Sequence, residues 1–123
     1  MTTESLARWN RELRSRSPLE ITLWAIGQAG GRAVLSTNFR PYEAVVLHLA
    51  TQAQPDIPVL WVDHGYNRPA TYRHAEQLRE RLGLNLRPYL PTLTAAHRDA
   101  VHGAVPGLDD EAGLKKFSAQ MKI

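Results

Sequence analysis

The sequence has 123 residues, 43% of them hydrophobic, a formal net charge of +3 and no cysteine. This size suggests one domain with a real core, and the cysteine count excludes disulfides, thiolate metal sites and thiol nucleophiles from these residues. No apolar run reaches the roughly 18 residues of a membrane span, and the first residues lack a signal-peptide pattern, so we expect a cytoplasmic protein. Basic residues are scattered among acids, so nucleic-acid binding is not expected.

Two helices are predicted before the first strand. Residues 3–14 carry apolar side chains at helical spacing. The segment 17–20, Ser-Pro-Leu-Glu, forms a capping box that begins the second helix. The glycines between residues 27 and 31 end that helix, and because they precede a strand they are not predicted to be a phosphate loop.

Alternating apolar runs and helical patterns then predict an α/β fold, with a parallel sheet flanked by helices in three layers. The predicted strands are 33–35, 58–62 and 84–90; the predicted helices are 41–54, one ending at Gly83, one from beyond Pro91 through His102, and one from Asp109. The sheet order is predicted to be 3-2-1, which leaves the first strand at an edge. Helix 41–54 is apolar over most of its circumference, so we expect it to be well buried, with His48 as a packed core histidine.

Ligands of open parallel sheets bind beyond the carboxyl ends of the strands. The polar turns 36–40, Ser-Thr-Asn-Phe-Arg, and 63–68, Asp-His-Gly-Tyr-Asn-Arg, lie at those ends, so any site is expected there. The hydroxyls and successive N–H groups of the first turn suit an anion. Arg40 would clamp a phosphate or sulfate, or else be a solvated surface residue. Asp63 and His64 would form an acid–base or metal pair, or else only cap the next helix.

Three blocks of sequence carry a resemblance to a known family. They are L-S-T-N-F-R-P-Y-E-A-V-V-L-H-L, P-D-I-P-V-L-W-V-D-H-G-Y-N-R-P-A-T-Y-R and L-R-E-R-L-G-L-N-L. Between about residues 18 and 91, the chain resembles the N-terminal part of the adenylyl-sulfate and phosphoadenylyl-sulfate (APS/PAPS) reductase family. The resemblance implies one sulfonucleotide-binding domain over residues 1–123, with the adenine-nucleotide fold of ATP pyrophosphatases. It also implies a role in sulfate assimilation, the reduction of APS or PAPS to sulfite.

The resemblance implies a nucleotide site made from both turns. Its residues are Ser36, Thr37, Asn38, Phe39 and Arg40 of the first turn and Asp63, His64, Gly65 and Tyr66 of the second. The sequence departs from the family pattern at three positions. Arg40 stands where the family has glycine, His64 where it has threonine, and Ala70 where it has glutamate.

The family's catalytic cysteine lies in a later, mobile tail and is served by thioredoxin or a similar thiol reductant; some members also hold an iron–sulfur cluster. Without cysteine, these 123 residues provide no catalytic residue and no cluster. We therefore expect a C-terminally truncated nucleotide-binding region that binds APS- or PAPS-type nucleotides weakly and does not turn over alone. The alternative is a degenerate, non-catalytic relative that acts as a nucleotide-binding or assembly module. The exposed first strand predicts a homo-oligomer.

Overall fold

The computed structural model describes residues 1–122. The helices are α1 (Thr3–Leu13), α2 (Pro18–Ala29), α3 (Ala44–Ala53), α4 (Pro69–Leu82), α5 (Ala95–His102) and α6 (Glu111–Gln120). The strands are β1 (Leu35–Ser36), β2 (Pro58–Val62) and β3 (Asn85–Tyr89), and a turn of 3-10 helix, Pro41–Glu43, leads into α3. Among the helices of residues 1–122, none combines the length and apolar character that crossing a membrane requires.

The ends of the helices follow the local signals in the sequence. At the start of α2, Ser17 Oγ accepts the Glu20 N–H at 3.1 Å while the Glu20 carboxylate accepts the Ser17 N–H at 3.3 Å. This reciprocal pair is the predicted capping box. Gly30 and Gly83 end α2 and α4 in the left-handed conformation, which glycine adopts without a steric penalty.

The three strands form one parallel sheet in the order β1-β2-β3, as predicted, with β2 in the centre. Leu35 pairs with Val59, and Val59 pairs with Leu86. The first strand begins two residues later than predicted. In this register Val34 would face Pro58, which has no N–H to extend the ladder.

The core lies on one face of the sheet, under α3 and α4. Its buried members are Phe39, Leu47, Ala50, Ile57, Val59, Trp61, Ala75 and Leu84. Within β2, Val59 and Trp61 point into this core, whereas Leu60 on the other face is only half-buried and Val62 is 53% exposed.

Helix α3 is less buried than its composition predicts. Only Leu47 and Ala50 are buried, while Val45 and Val46 are 63% and 51% exposed. His48 is exposed as well, so the prediction of a core histidine is wrong. The reason is geometric: an apolar circumference is buried only where other elements surround it, and in residues 1–122 the outer face of α3 has no such cover.

Candidate functional site

The carboxyl ends of β1 and β2 lie side by side, and the turns that follow them border one cleft of about 410 Å³. Its lining residues are Asn38, Phe39, Arg40, Pro41, Trp61, Val62, His64, Asn67 and Thr71. They include no carboxylate, and their permanent charge is the Arg40 guanidinium. The volume is within the range of small-molecule sites, about 300–1,000 Å³.

The nine predicted site residues divide into three groups around this cleft. Four of them line it: Asn38, Phe39, Arg40 and His64. Ser36 and Thr37 line a smaller recess of about 220 Å³ that also includes Asn38. The remaining three, Asp63, Gly65 and Tyr66, are absent from both linings and support the second turn from behind.

The first turn is fixed by Thr37 and Phe39. The Thr37 N–H donates to Leu60 O at 3.0 Å, which extends the sheet pairing one residue past β1. Thr37 Oγ1 accepts the Phe39 N–H at 3.0 Å. Phe39 has a φ of 57°, unusual for a residue with a side chain. Its ring is 2% exposed and packs edge-on against Trp61, with centroids 4.9 Å apart, and this burial offsets the local strain.

Glu43 closes the first turn from the helix side. Its carboxylate accepts the Arg40 N–H at 2.7 Å and the Asn38 N–H at 3.4 Å. Sequence reasoning missed this residue. The segment Arg40-Pro-Tyr-Glu43 held the signal, because proline at the first helical position followed by glutamate at the third marks a helix start whose glutamate reaches back to the backbone.

Arg40 is exposed and its side chain lies at the rim of the cleft. Its Nη1 donates to the Tyr42 hydroxyl at 3.0 Å. This hydrogen bond, and after it the nearby Glu43 carboxylate, raise the pKa of the guanidinium. Arg40 therefore offers a permanent positive charge with donors to spare.

Asp63 organises the second turn. Its Oδ1 accepts three hydrogen bonds, from the Gly65 N–H at 2.9 Å, Asn67 Nδ2 at 3.1 Å and the Tyr72 hydroxyl at 2.8 Å. Burial, and then the bond to this carboxylate, raise the pKa of Tyr72. Asp63 therefore holds the loop together by hydrogen bonds within the protein, whereas the start of α4 at Arg68 has no side-chain cap.

His64 and Gly65 give the second turn its shape. His64 Nδ1 accepts the Tyr66 N–H at 3.0 Å, which places the proton of the neutral ring on Nε2 and leaves that N–H as a donor. Gly65 has a φ of 87°, and a Cβ built on it would lie 3.1 Å from the Ala95 Cβ. Glycine adopts this backbone angle without the strain that a side chain would bring, and it also avoids a tight contact with α5.

Tyr66 is bound by the C-terminal helices instead of facing the cleft. Its hydroxyl donates to Asp99 Oδ1 at 2.5 Å, and its ring packs against Phe117 with centroids 5.1 Å apart. Arg98, 3% exposed, holds the same carboxylate at 3.1 Å and lies over the Phe117 ring at 4.8 Å. Burial, and next the bond to Asp99, raise the pKa of Tyr66. No local pattern in the turn identifies Asp99, which lies 33 residues further along the chain.

The arrangement is suited to binding an anion by hydrogen bonds. Arg40 and His64 offer side-chain donors, and Asn38, Asn67 and Thr71 add neutral polar groups. The side chains of Asp63 and His64 form hydrogen bonds with different groups. They therefore do not form the acid–base pair that was one alternative from the sequence. Across residues 1–122, the His, Asp and Glu side chains form no group of three that could hold a metal ion.

A larger cavity of about 490 Å³ lies elsewhere, between α2, α3 and the start of β1. Its lining is mostly apolar, with Ile21, Val34 and Val46 among its residues, and includes the polar side chains of Thr22 and Arg32. A charged ligand would find few hydrogen-bond partners there. The polar cleft at the strand ends is therefore the better candidate site.

Comparison with known proteins finds similarity along nearly the whole chain. The family model described as the phosphoadenosine phosphosulfate reductase domain matches residues 32–123. Proteins named phosphoadenosine 5'-phosphosulfate reductase are similar as well: that of Synechococcus sp. is 40% identical over 97% of this chain and 51% of its own length. Those of Xanthomonas campestris pv. campestris and Alkalilimnicola ehrlichii are 40% and 41% identical over 92% of this chain, and 49% and 46% of their own lengths. The chain thus spans about half the length of the curated relatives it matches.

Proposed function

The chain belongs to the phosphoadenosine phosphosulfate reductase domain family, and on that basis we propose that it binds an adenylyl-sulfate or phosphoadenylyl-sulfate nucleotide. The observation that carries the proposal is the polar cleft at the carboxyl ends of β1 and β2. Its lining combines the Arg40 guanidinium with neutral donors and contains no carboxylate, which favours a phosphate or sulfate group.

Titration calorimetry with APS, PAPS, AMP and ATP tests this proposal. We expect micromolar binding of the sulfated nucleotides and weaker binding of AMP and ATP. If none of the four binds, the nucleotide-binding proposal fails. The same titrations decide between APS and PAPS, a preference that the sequence does not predict.

Arg40 should carry much of the anion affinity. Replacing Arg40 with glutamine removes the charge and keeps a polar side chain, and we expect roughly a tenfold loss of APS affinity, since bonds to charged groups contribute about 1.5–3 kcal/mol. Arg81→Gln is a matched control, because Arg81 is also exposed but lies in the last turn of α4. Equal losses in both variants would assign the effect to general charge.

The relatives carry the name of a reductase, and we propose that this chain contributes nucleotide binding to the same chemistry, the reduction of the sulfonucleotide to sulfite. Its 123 residues include no cysteine, so a thiolate nucleophile would come from outside them. We expect no turnover by this polypeptide alone. Thiol-dependent sulfite release from it would contradict this. That thioredoxin or a similar protein supplies the reducing thiol stays a prediction.

A non-catalytic module is the second candidate, and internal hydrogen bonding in the site favours it. Glu43 holds two N–H groups of the first turn, and Asp63 and Tyr66 are bound within the protein. Such a turn would serve assembly or weak nucleotide sensing. Binding of no nucleotide, together with a defined oligomer, would favour this candidate over the first.

We also propose that a second copy of the chain covers the edge of β1. Within residues 1–122 that strand has one neighbour in the sheet, and Val34 and Val46 are exposed beside it. Exposed parallel edges with apolar flanks favour pairing. Light scattering at micromolar concentration should give a multiple of the 13.8 kDa chain mass, and a monomer mass would contradict the proposal.

The cytoplasmic location stays a prediction that cell fractionation would test.

A further inference from the structure

Consecutive N–H groups in the first turn are already hydrogen-bonded within the chain. The Arg40 N–H donates to Glu43 Oε2 at 2.7 Å, and the Asn38 N–H to Glu43 Oε1 at 3.4 Å. Between them, the Phe39 N–H donates to Thr37 Oγ1 at 3.0 Å. The two donors at Asn38 and Arg40 are therefore held by a negatively charged side chain.

These are the donors that an anionic ligand of this turn would use. N–H groups at the start of a helix attract anions through their partial positive charge and their hydrogen bonds. Glu43 also lines the recess that Ser36 and Thr37 form, and that recess shares Asn38 with the cleft. A phosphate or sulfate at this turn must either displace the carboxylate or bind next to it against charge repulsion.

We propose that Glu43 is an internal competitor for the anionic group of the ligand and lowers the affinity of this site for phosphate and sulfate. The inference rests on the proposed nucleotide-binding function of the cleft. Binding then requires the carboxylate to rotate away from Asn38 and Arg40. Glu43 is only half-buried, and in residues 1–122 it forms no salt bridge that would prevent this rotation.

A purely structural role makes a different prediction. Glu43 stands at the third helical position, where a glutamate stabilises the helix start by bonding to the preceding N–H. Glu20 has the same position and the same bond in α2, to Ser17, and it does not line the recess that Glu43 lines. Comparing substitutions at Glu43 and at Glu20 therefore separates the effect of helix capping from the effect of competition for the ligand.

The experiment compares the affinities of wild type, Glu43→Gln and Glu20→Gln for inorganic pyrophosphate and for PAPS by titration calorimetry. Glutamine keeps the shape and one acceptor oxygen but removes the charge. We expect Glu43→Gln to bind both probes about tenfold more tightly than wild type, since charge-assisted hydrogen bonds are about twice as strong as neutral ones. We expect no change for Glu20→Gln. If Glu43→Gln does not fold, as judged by circular dichroism, Glu43→Ala gives the same comparison.

The outcomes distinguish this inference from the proposed function. Unchanged or weaker binding of both probes by Glu43→Gln overturns the inference, and the nucleotide function stands if wild type still binds PAPS. Tighter pyrophosphate binding by Glu43→Gln, with no binding of PAPS by wild type or variant, supports the inference and overturns the nucleotide function. Binding of neither probe by any variant overturns both. The amide resonances of Asn38 and Arg40 provide a second readout: they should shift at lower pyrophosphate concentration in Glu43→Gln than in wild type.

Discussion

At the scale of single residues, Asp63 has more hydrogen bonds than any neighbour in the second turn. One of its oxygens accepts a backbone N–H, an amide and a tyrosine hydroxyl, from Gly65, Asn67 and Tyr72. The residue is 9% exposed, so losing the carboxylate would leave these donors without a partner away from water. Such unsatisfied donors are costly.

Replacing Asp63 with alanine should therefore lower the free energy of unfolding by about 2–3 kcal/mol. Urea denaturation followed by circular dichroism measures the change. Asp56→Ala is the control, because Asp56 is exposed and the hydrogen bond that it accepts from Asn85 goes to its backbone oxygen. A loss at Asp63 no larger than the loss at Asp56 would show that the three hydrogen bonds contribute little.

Tyr66 and Asp99 yield a prediction about pH. The hydrogen bond from the Tyr66 hydroxyl is the main cause that lowers the pKa of the Asp99 carboxyl; burial opposes it, and the hydrogen bond and charge of Arg98 lower the pKa further. A carboxyl whose pKa is lowered by folding adds stability above its ordinary pKa, and this stability is lost as the pH falls through the lowered value. Tyr66→Phe should raise the pKa of Asp99. The free energy of unfolding should then fall less as the pH is lowered.

An NMR pH titration of the Asp99 carboxylate carbon in wild type and Tyr66→Phe measures that shift. Tyr89→Phe is the control, since Tyr89 is a half-exposed tyrosine on β3. If the pKa of Asp99 is the same in Tyr66→Phe as in wild type, the tyrosine hydroxyl does not perturb the carboxyl.

At the scale of elements, the second turn and α5 pack closely at Gly65, where a side chain would press against Ala95. A Cβ at Gly65 would lie 3.1 Å from Ala95 Cβ, whereas a Cβ at Gly30 would have no neighbour within 4 Å. Both glycines have positive φ. A side chain would therefore be strained by the backbone conformation at both positions, but only at Gly65 would it also contact a neighbouring residue.

Gly65→Ala should consequently destabilise the protein more than Gly30→Ala. Positive φ costs a residue with a side chain about 1–2 kcal/mol, and this applies to both variants. The contact with Ala95 adds to the cost at Gly65 alone and should displace the start of α5. Urea midpoints of the two variants measure the difference, and equal midpoints would mean that α5 moves away freely.

The elements that could be predicted from the sequence are those with local signals. The capping box at 17–20, the glycine at 83 and the apolar run 58–62 each identified an end or a strand correctly. The first strand was misplaced because its start depends on which residue of β2 faces Val34. Helix α3 was predicted as buried because composition reports how apolar a helix is, and its surroundings decide how much of it is covered.

At the scale of the whole molecule, some of the exposed apolar side chains lie at the β1 edge. Val34 and Val46 are 58% and 51% exposed, and both line the apolar cavity between α2, α3 and the start of β1. Apolar side chains beside an exposed strand edge favour pairing with another chain. If a second copy covers it, a charge placed there should separate the copies.

Val34→Asp is therefore expected to shift the protein from an oligomer to a monomer and to leave the helix content unchanged. Light scattering and circular dichroism measure the two properties. Val101→Asp is the control, because Val101 is similarly exposed but lies on α5. An oligomer that persists in Val34→Asp would place the contact on another surface.

The position of the candidate site could be predicted from the sequence, but its detailed contacts could not. Its position followed from the carboxyl ends of a parallel sheet, and Arg40 and His64 do lie at the cleft. Two features required three-dimensional information. Tyr66 is held by Asp99 and Phe117, which are distant in sequence, and Asp63 is surrounded by donors whose directions depend on the path of the turn.

The packing of the three tryptophans has an optical consequence. Trp61 lies in the wall of the cleft, between Phe39 and Tyr72, whereas Trp9 and Trp24 contact each other across α1 and α2 with ring centroids 5.4 Å apart. With Trp9 and Trp24 replaced by phenylalanine, Trp61 would be the sole indole fluorophore. Its emission would then report occupancy of the cleft without an added dye, and its lifetime would show whether the first turn rearranges when an anion arrives.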